Sequence, residues 1–332
     1  MSDHDTGPLS NLPPAPSEFS PLSPQPSSLS PVEPELPSAE LTQPSFETPL
    51  YTPPFLSQPA YIPVHRTPNF ADLLIFSLML LIGFLAMLGA ASAAAHYHWF
   101  GLKNLAQMQS NTRFALGTEA ILYGVTLACS IPIFRMAWSK SLLSGLHWHQ
   151  HTAWRLRLRL AGVAVACNLI AMLGNAILPF PQHAPIDKMF STTSDAWLLM
   201  VFGVTVAPFF EELIFRGFLL PAFATTWDWS VERLTHRLPR PLDAEDNPVW
   251  SLGAQIFAAL IVSAPFALMH AEQVGNSWGP VLLLYCVSLI LCAVRLRTRS
   301  LACSTLVHSC YNFLLFAVML FETDGFRHLD KM

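Results

Sequence analysis

The chain has 332 residues, of which 52% are hydrophobic and only 12% are charged, with a formal net charge of −4. Soluble domains carry about 25% charged residues, so this composition indicates a membrane protein rather than a soluble one. No sustained patch of Lys and Arg alternates with aromatic residues, which argues against a nucleic-acid partner.

The first 68 residues differ in composition from the rest of the chain. They contain 17 of the 28 prolines and many serines, as in "PLSPQPSSLSPVEPELPSAEL". Proline interrupts helical and ladder hydrogen bonding, and few apolar groups are present to offset the entropy lost on ordering. We therefore expect residues 1–68 to form a disordered cytoplasmic tail. The first apolar run begins near Ala71, too late for a cleavable signal peptide.

Seven apolar runs follow the tail, and each approaches the roughly 20 residues that a helix needs to cross a bilayer. The sequence thus predicts an all-α, polytopic membrane helix bundle with about seven transmembrane helices. The predicted spans lie near residues 72–95, 114–136, 159–180, 196–222, 251–270, 279–297 and 301–321. We divide them into N-terminal transmembrane helices (69–190) and a core (191–322), followed by a C-terminal tail (323–332).

The distribution of Lys and Arg between the loops predicts the orientation of the chain. An arrangement with the N-terminus inside places 12 basic residues on the cytoplasmic side and 5 on the other, with Arg216 inside a span. We expect an integral, multi-pass protein of the bacterial cytoplasmic membrane, with a cytoplasmic N-terminus and membrane lipid around it. The six cysteines lie in apolar segments without CxxC spacing, so they indicate neither a redox motif nor a zinc site.

The fourth predicted span carries an unusual set of charges in "PFFEELIFRGFLL". Glu212 and Arg216 are four residues apart and share a helix face, so they are expected to form an ion pair. Glu211 lies about 100° further round the helix and lacks such a partner. An ionisable residue without a partner inside a membrane indicates a functional site.

Two other spans contribute polar side chains that could converge on Glu211. The fifth span ends in "FALMHAE", where Phe266 and His270 are one turn apart, and the seventh carries "HSCYN", where His308 and Asn312 are one turn apart. A single membrane histidine is usually an interhelical hydrogen-bonding group. Two histidines, an asparagine and a free glutamate on three spans favour one shared polar pocket.

These three segments resemble the three motifs of the CPBP intramembrane proteases, which read EExxxR, FxxxH and HxxxN/D in that order. The family includes the eukaryotic CAAX endoprotease and bacterial bacteriocin-processing or immunity (Abi) proteins. The resemblance covers residues 196–321 and makes residues 191–322 a CPBP-like catalytic core. It implies hydrolysis of a peptide bond in a membrane-associated or lipidated protein, or in a leader peptide.

The resemblance also implies a role for each motif residue. Glu211 would act as the general base, together with His270, on a water molecule, while His308 and Asn312 would stabilise the oxyanion. Glu212 would be the second carboxylate of the site, and Arg216 would orient it. Phe266 supplies the first position of the second motif. Water would attack the substrate directly, without a covalent acyl-enzyme.

A metal-dependent reaction is the main alternative for the chemistry. Glu211, His270 and His308 are competent zinc ligands, and catalytic zinc sites use three protein ligands and water. However, HExxH is absent, and two adjacent glutamates cannot both face one metal from a regular helix. Members of this family have been described both as metalloproteases and as glutamate proteases. We favour a metal-independent site without a cofactor and keep zinc as the alternative.

Two other functions are compatible with the same polar residues. One is a non-enzymatic membrane scaffold or immunity protein that uses the pocket for binding. The other is a proton-coupled transporter with a Glu–His pair, although no internal repeat supports duplicated transporter halves. The expected partners are membrane lipid and a membrane-associated peptide or protein substrate, with no nucleic acid.

The predicted spans contain one inconsistency. At a rise of about 1.5 Å per residue, Glu211 would lie about 22 Å from the outer end of its span. His270 would lie at the outer end of the fifth span, so upright helices would keep the two side chains apart. We expect either inaccurate span limits or a fourth helix that is tilted or broken near Pro208.

Overall fold

The computed structural model describes the chain over residues 66–101, 111–179, 181, 185–243 and 248–329. The expected disorder of the tail concerns residues that lie almost entirely outside these ranges. Over the described ranges the secondary structure is helical, apart from one isolated bridge between Leu242 and Pro248. The prediction of an all-α protein is confirmed.

Eight α-helical elements follow one another along the described part of the chain. They are α1 (Phe70–His96), α2 (Thr112–Trp138), α3 (Leu142–Gly145), α4 (Gln150–Ile177), α5 (Thr193–Leu234), α6 (Leu252–Met269), α7 (Trp278–Thr298) and α8 (Leu301–Glu322). Short 3₁₀ turns occupy Trp99–Gly101 and Pro185–Met189. All of the eight except α3 are long and apolar enough to cross a membrane, which confirms the seven predicted helices.

Two of these helices extend beyond the predicted spans. Helix α4 begins at Gln150 rather than near residue 159, and α5 continues to Leu234 rather than ending near residue 222. The prediction followed hydropathy, which falls where polar side chains begin. Arg, Glu and Leu nevertheless favour helix, so the backbone continues through the polar ends "QHTAWRLRL" and "TTWDWSVERL".

Helix α5 is continuous but irregular around the charged motif. Two π-helical segments, Phe202–Val206 and Leu213–Leu219, enclose a short α-helical segment, Ala207–Glu212. A π turn contains an extra residue and changes the direction of the side chains that follow, and such turns occur often at functional sites. Pro208, which cannot donate a backbone hydrogen bond, lies at the start of the middle segment. The expected irregularity near Pro208 is therefore a pair of π segments rather than a break.

The packing of the helices makes α5 central. Helix α1 packs on α2, α4 packs on α8, and α6 packs on both α7 and the end of α5, while α5 also contacts α1, α2 and α8. Gly83 permits the close approach of α1 and α2, because a Cβ at this position would lie 2.6 Å from the carbonyl oxygen of Leu122. The buried rings of Phe76 and Phe218 stack at 4.1 Å and join α1 to α5. The described residues from Arg66 onwards belong to one compact unit.

Candidate active site

Glu211 occupies the centre of the polar cluster. It lies near the end of the middle α-helical segment of α5, and its carboxylate is almost entirely buried. Its Oε2 atom makes no hydrogen bond within the described structure. The Nε2 atoms of His308 and His270 lie 3.5 Å and 3.7 Å from that oxygen. Three helices, α5, α6 and α8, thus bring one carboxylate and two imidazoles together.

His270 caps the C-terminal end of α6 with a defined ring orientation. Its Nδ1 atom lies 2.8 Å from the carbonyl oxygen of Phe266, one turn earlier. A carbonyl only accepts hydrogen bonds, so Nδ1 carries a proton and donates it. In the neutral ring, Nε2 then presents a lone pair towards Glu211. The spacing of the second motif therefore sets the tautomer of His270 as well as its position.

The separation in depth that the predicted spans implied for Glu211 and His270 does not occur. That prediction treated each apolar run as an upright helix whose ends mark the membrane surfaces. Helix α5 contains 42 residues, about twice the length that a bilayer requires, so its ends do not mark those surfaces. The helix is longer than the predicted span 196–222, so a depth taken from the ends of that span does not apply to Glu211, and His270 Nε2 lies 3.7 Å from Glu211 Oε2.

Glu212 and Arg216 form the ion pair that their spacing predicts. Arg216 Nη1 donates to Glu212 Oε1 at 2.9 Å, and both side chains are 0% exposed. The other terminal nitrogen of Arg216 donates to the carbonyl oxygen and the hydroxyl of Ser288 on α7, at 3.0 Å and 2.8 Å. Arg216 also lies over the ring of Phe266, 4.5 Å from its centroid. A buried charge pair therefore connects α5, α6 and α7 behind Glu211.

His308 lies between the two adjacent glutamates. Its Nδ1 atom is 3.1 Å from Glu212 Oε1, and its Nε2 atom faces Glu211. A carboxylate that is paired with an arginine acts only as an acceptor, so Nδ1 carries a proton. Glu212 thereby orients the ring, in the way that a carboxylate behind a functional histidine often does. This contact between helices was not predicted, because the sequence argument paired His308 with Asn312 instead.

The Asn312 side chain contacts the backbone of α5 rather than Glu211 or Glu212. Its Nδ2 atom donates to the carbonyl oxygen of Gly203 at 2.7 Å, within the first π segment of α5. An asparagine amide has two N–H donors, so one of them remains for another acceptor. The structure thus places Asn312 one turn from His308 on α8 and attaches it to the irregular backbone of α5.

Phe266 forms one wall of the cluster. Its ring is 1% exposed and lies with its centroid 5.0 Å from that of His270 and 5.7 Å from that of His308. Phe215 packs edge-on against it at 5.2 Å. These apolar contacts limit the movement of both imidazoles and exclude solvent from the Glu212–Arg216 pair.

A third glutamate, which the sequence argument overlooked, belongs to the same region. Glu119 on α2 accepts a hydrogen bond of 2.5 Å from the hydroxyl of Tyr123 and interacts electrostatically with Glu211 and His270. Tyr123 is buried and stacks on Phe210 at 4.2 Å. The signal was present, since Glu119 lies inside an apolar run in "TEAILYG".

The zinc alternative names Glu211, His270 and His308 as the ligands. Over the ranges that the structure describes, no group of three or more His, Cys, Asp or Glu residues is arranged to hold a metal ion. The proposed set of Glu211, His270 and His308 is included in that statement. We therefore derive no catalytic step through a metal.

Comparisons with known proteins point to one family. Residues 193–314 match the family model described as "Type II CAAX prenyl endopeptidase Rce1-like". No curated protein and no solved structure matches the chain. The matched segment contains all three motifs and excludes Glu119. The match confirms the resemblance of this core to the CAAX-type intramembrane proteases.

Proposed function

We propose that this protein is an intramembrane endopeptidase that hydrolyses a peptide bond of a membrane-associated or lipidated substrate. The observation that carries the proposal is the position of Glu211 Oε2. This buried oxygen has no hydrogen bond within the described structure and faces the Nε2 atoms of two histidines. A buried acceptor without a donor is costly unless water or substrate supplies one. The match to the CAAX endopeptidase family supports a peptide as that substrate.

In the proposed reaction, one water molecule hydrogen-bonds to Glu211 Oε2 and to the lone pair of His270 Nε2. Both hydrogens of the water are then engaged, so its oxygen is directed at the scissile carbonyl carbon. As the new C–O bond forms, Glu211 takes the proton, which is general base catalysis. When the C–N bond of the tetrahedral intermediate breaks, Glu211 returns the proton to the leaving amine. No oxidant, reductant or cofactor is required.

The remaining residues stabilise charge. His308 Nε2 donates to the developing oxyanion when the ring carries both protons, a form that lies between the carboxylates of Glu211 and Glu212. The free N–H of Asn312 supplies a second donor, while its other N–H holds the π segment at Gly203. Donors that are positioned before the reaction stabilise the transition state without reorganisation. Glu212 and Arg216 act as positioning residues for His308.

The substrate class can be tested with purified protein and a farnesylated, fluorogenic CAAX peptide. We expect release of the C-terminal tripeptide, at a rate that is unchanged by dialysis against a chelator. The chelator has no effect because Glu211 and His270, rather than a metal, activate the water. Loss of cleavage after chelation and its recovery with Zn²⁺ would contradict this mechanism. Absence of cleavage of both this peptide and a membrane-embedded leader peptide would contradict the proposed function.

We also propose that the N-terminus lies in the cytoplasm, from the excess of Lys and Arg in the loops assigned to that side. Seven crossings then place the C-terminus outside. A reporter fused after Met332 should be active on the outer side, and one inserted at Thr235, at the end of α5, on the inner side. The reverse result at both positions would show that loop charge does not determine the orientation of this chain.

A further inference from the structure

Glu119 and Tyr123 form a pair that the proposed mechanism does not use. They lie four residues apart on α2, outside the segment that matches the family model. The Tyr123 hydroxyl donates to Glu119 Oε1 at 2.5 Å. Tyr123 stacks on Phe210, the residue that precedes Glu211. The contact therefore holds Glu119 against the segment of α5 that carries Glu211.

No cationic partner for Glu119 is present in the part of the chain that the structure describes. Every ion pair between described residues involves another acid, and Glu119 takes part in none of them. One hydroxyl donor satisfies only a part of the four acceptor positions of a carboxylate. A half-buried carboxylate without a cation within a membrane helix marks a functional position by default.

The charges around Glu211 in the described structure indicate that Glu119 lacks a positively charged partner. Three carboxylates, Glu119, Glu211 and Glu212, lie there with two permanent cations, Arg216 and Arg295, and both arginines act on Glu212 rather than on Glu119 or Glu211. The two histidines are neutral or positive according to their protonation. A positively charged ligand would therefore be attracted to Glu119, whereas a further anion would be repelled.

We propose that Glu119 is a substrate-binding residue that takes a Lys or Arg side chain of the polypeptide substrate close to the scissile bond. This subsite rests on the proposed function, because the substrate must lie beside Glu211 and His270. Tyr123 binds Glu119 and stacks at 4.2 Å on Phe210, the neighbour of Glu211, so a basic side chain next to the scissile bond can reach Glu119. The charge-assisted hydrogen bonds of Lys or Arg to a carboxylate are about twice as strong as neutral ones.

Peptide binding tests the subsite without hydrolysis. We would prepare farnesylated CAAX peptides that carry either Lys or Gln at the two positions before the cysteine. We would then measure their affinity for the E211Q protein by fluorescence anisotropy. The Lys peptide should bind roughly tenfold more tightly than the Gln peptide, in keeping with one charge-assisted contact. Adding E119Q should remove this preference, because glutamine still accepts from Tyr123 but carries no charge.

Two further variants control for indirect effects. Glu272 is an exposed acid two residues after His270, and E272Q removes the same charge outside the cluster, so it should keep the preference for Lys. Y123F retains the charge of Glu119 but not the hydroxyl that holds it, so it should weaken the preference without abolishing it. Thermal unfolding of each variant in detergent establishes that it is folded.

Equal affinity of the E211Q protein for the two peptides, or no binding of either, would overturn the subsite. So would a preference for Lys that persists in the E119Q background. These results are distinct from failure of the proposed function. If the wild-type protein cleaves neither peptide while E211Q still shows a Glu119-dependent preference, the subsite stands and the peptidase does not.

Discussion

Replacement of Glu211 by glutamine is expected to reduce peptide hydrolysis about 10²–10⁴-fold, because general base catalysis contributes a factor of this size and glutamine cannot accept the proton of water. The variant should fold normally. Glutamine has nearly the same shape as glutamate, and Glu211 forms no ion pair with an arginine in the described structure. The measurement is the turnover of the farnesylated peptide, together with thermal unfolding of the purified variant in detergent.

The E272Q variant is the matched control for this experiment. It changes an exposed glutamate in the turn after α6 and should retain the activity of the wild-type protein. A scaffold or immunity protein would keep its function in the E211Q variant, and a transporter would lose proton coupling rather than hydrolysis. Residual turnover of E211Q above roughly a tenth of the wild-type rate would exclude Glu211 as the base, given the range expected for this kind of catalysis.

The sequence predicted those features of the site that arise within single helices. Spacing of four residues placed Glu212 beside Arg216 and Phe266 beside His270, and both contacts are present. The helical period alone determines such pairs. The seven apolar helices were predictable for a similar reason, since each must satisfy its own backbone hydrogen bonds in lipid.

Contacts between helices could not be predicted in the same way. The contact of His308 with Glu212 depends on how α8 packs against α5, and the contact of Asn312 with Gly203 depends on a π segment. A π segment changes which residues face each other by one position per extra residue. Nothing in "FGVTV" distinguishes it from ordinary α-helical sequence. The direction of the Asn312 side chain was therefore predicted without knowledge of the π segment.

Glu119 was missed for a different reason. It lies alone in an apolar run, outside the three motifs on which the family resemblance depends. The physical argument that selected Glu211, an acid in hydrocarbon without an evident partner, applies equally to Glu119. Motif spacing identifies residues that a chain shares with a family. A search for every charged residue in an apolar run also identifies residues, such as Glu119, that lie outside the motifs.

Replacement of Arg216 by methionine is expected to have the largest effect on stability. Arg216 and Glu212 are both 0% exposed, and the guanidinium also binds the carbonyl and hydroxyl of Ser288. Methionine leaves the Glu212 charge buried without its arginine. Removal of one member of a buried ion pair typically costs about 3–5 kcal/mol. We therefore expect R216M to unfold at a much lower temperature in detergent, or to yield little folded protein.

The double variant R216M/E212Q separates loss of the charge pair from loss of packing. It removes both charges while glutamine still accepts from His308 Nδ1, so it should recover most of the stability that R216M loses. The pair of Arg113 and Asp195, in which the arginine is exposed and the aspartate also accepts from Thr192, provides the control. The Arg113 side chain is 59% exposed, so R113M should change the free energy of unfolding by less than about 1 kcal/mol. If R216M were as stable as R113M, the buried pair would not hold α5 against α7, and the orientation of His308 by Glu212 would require another cause.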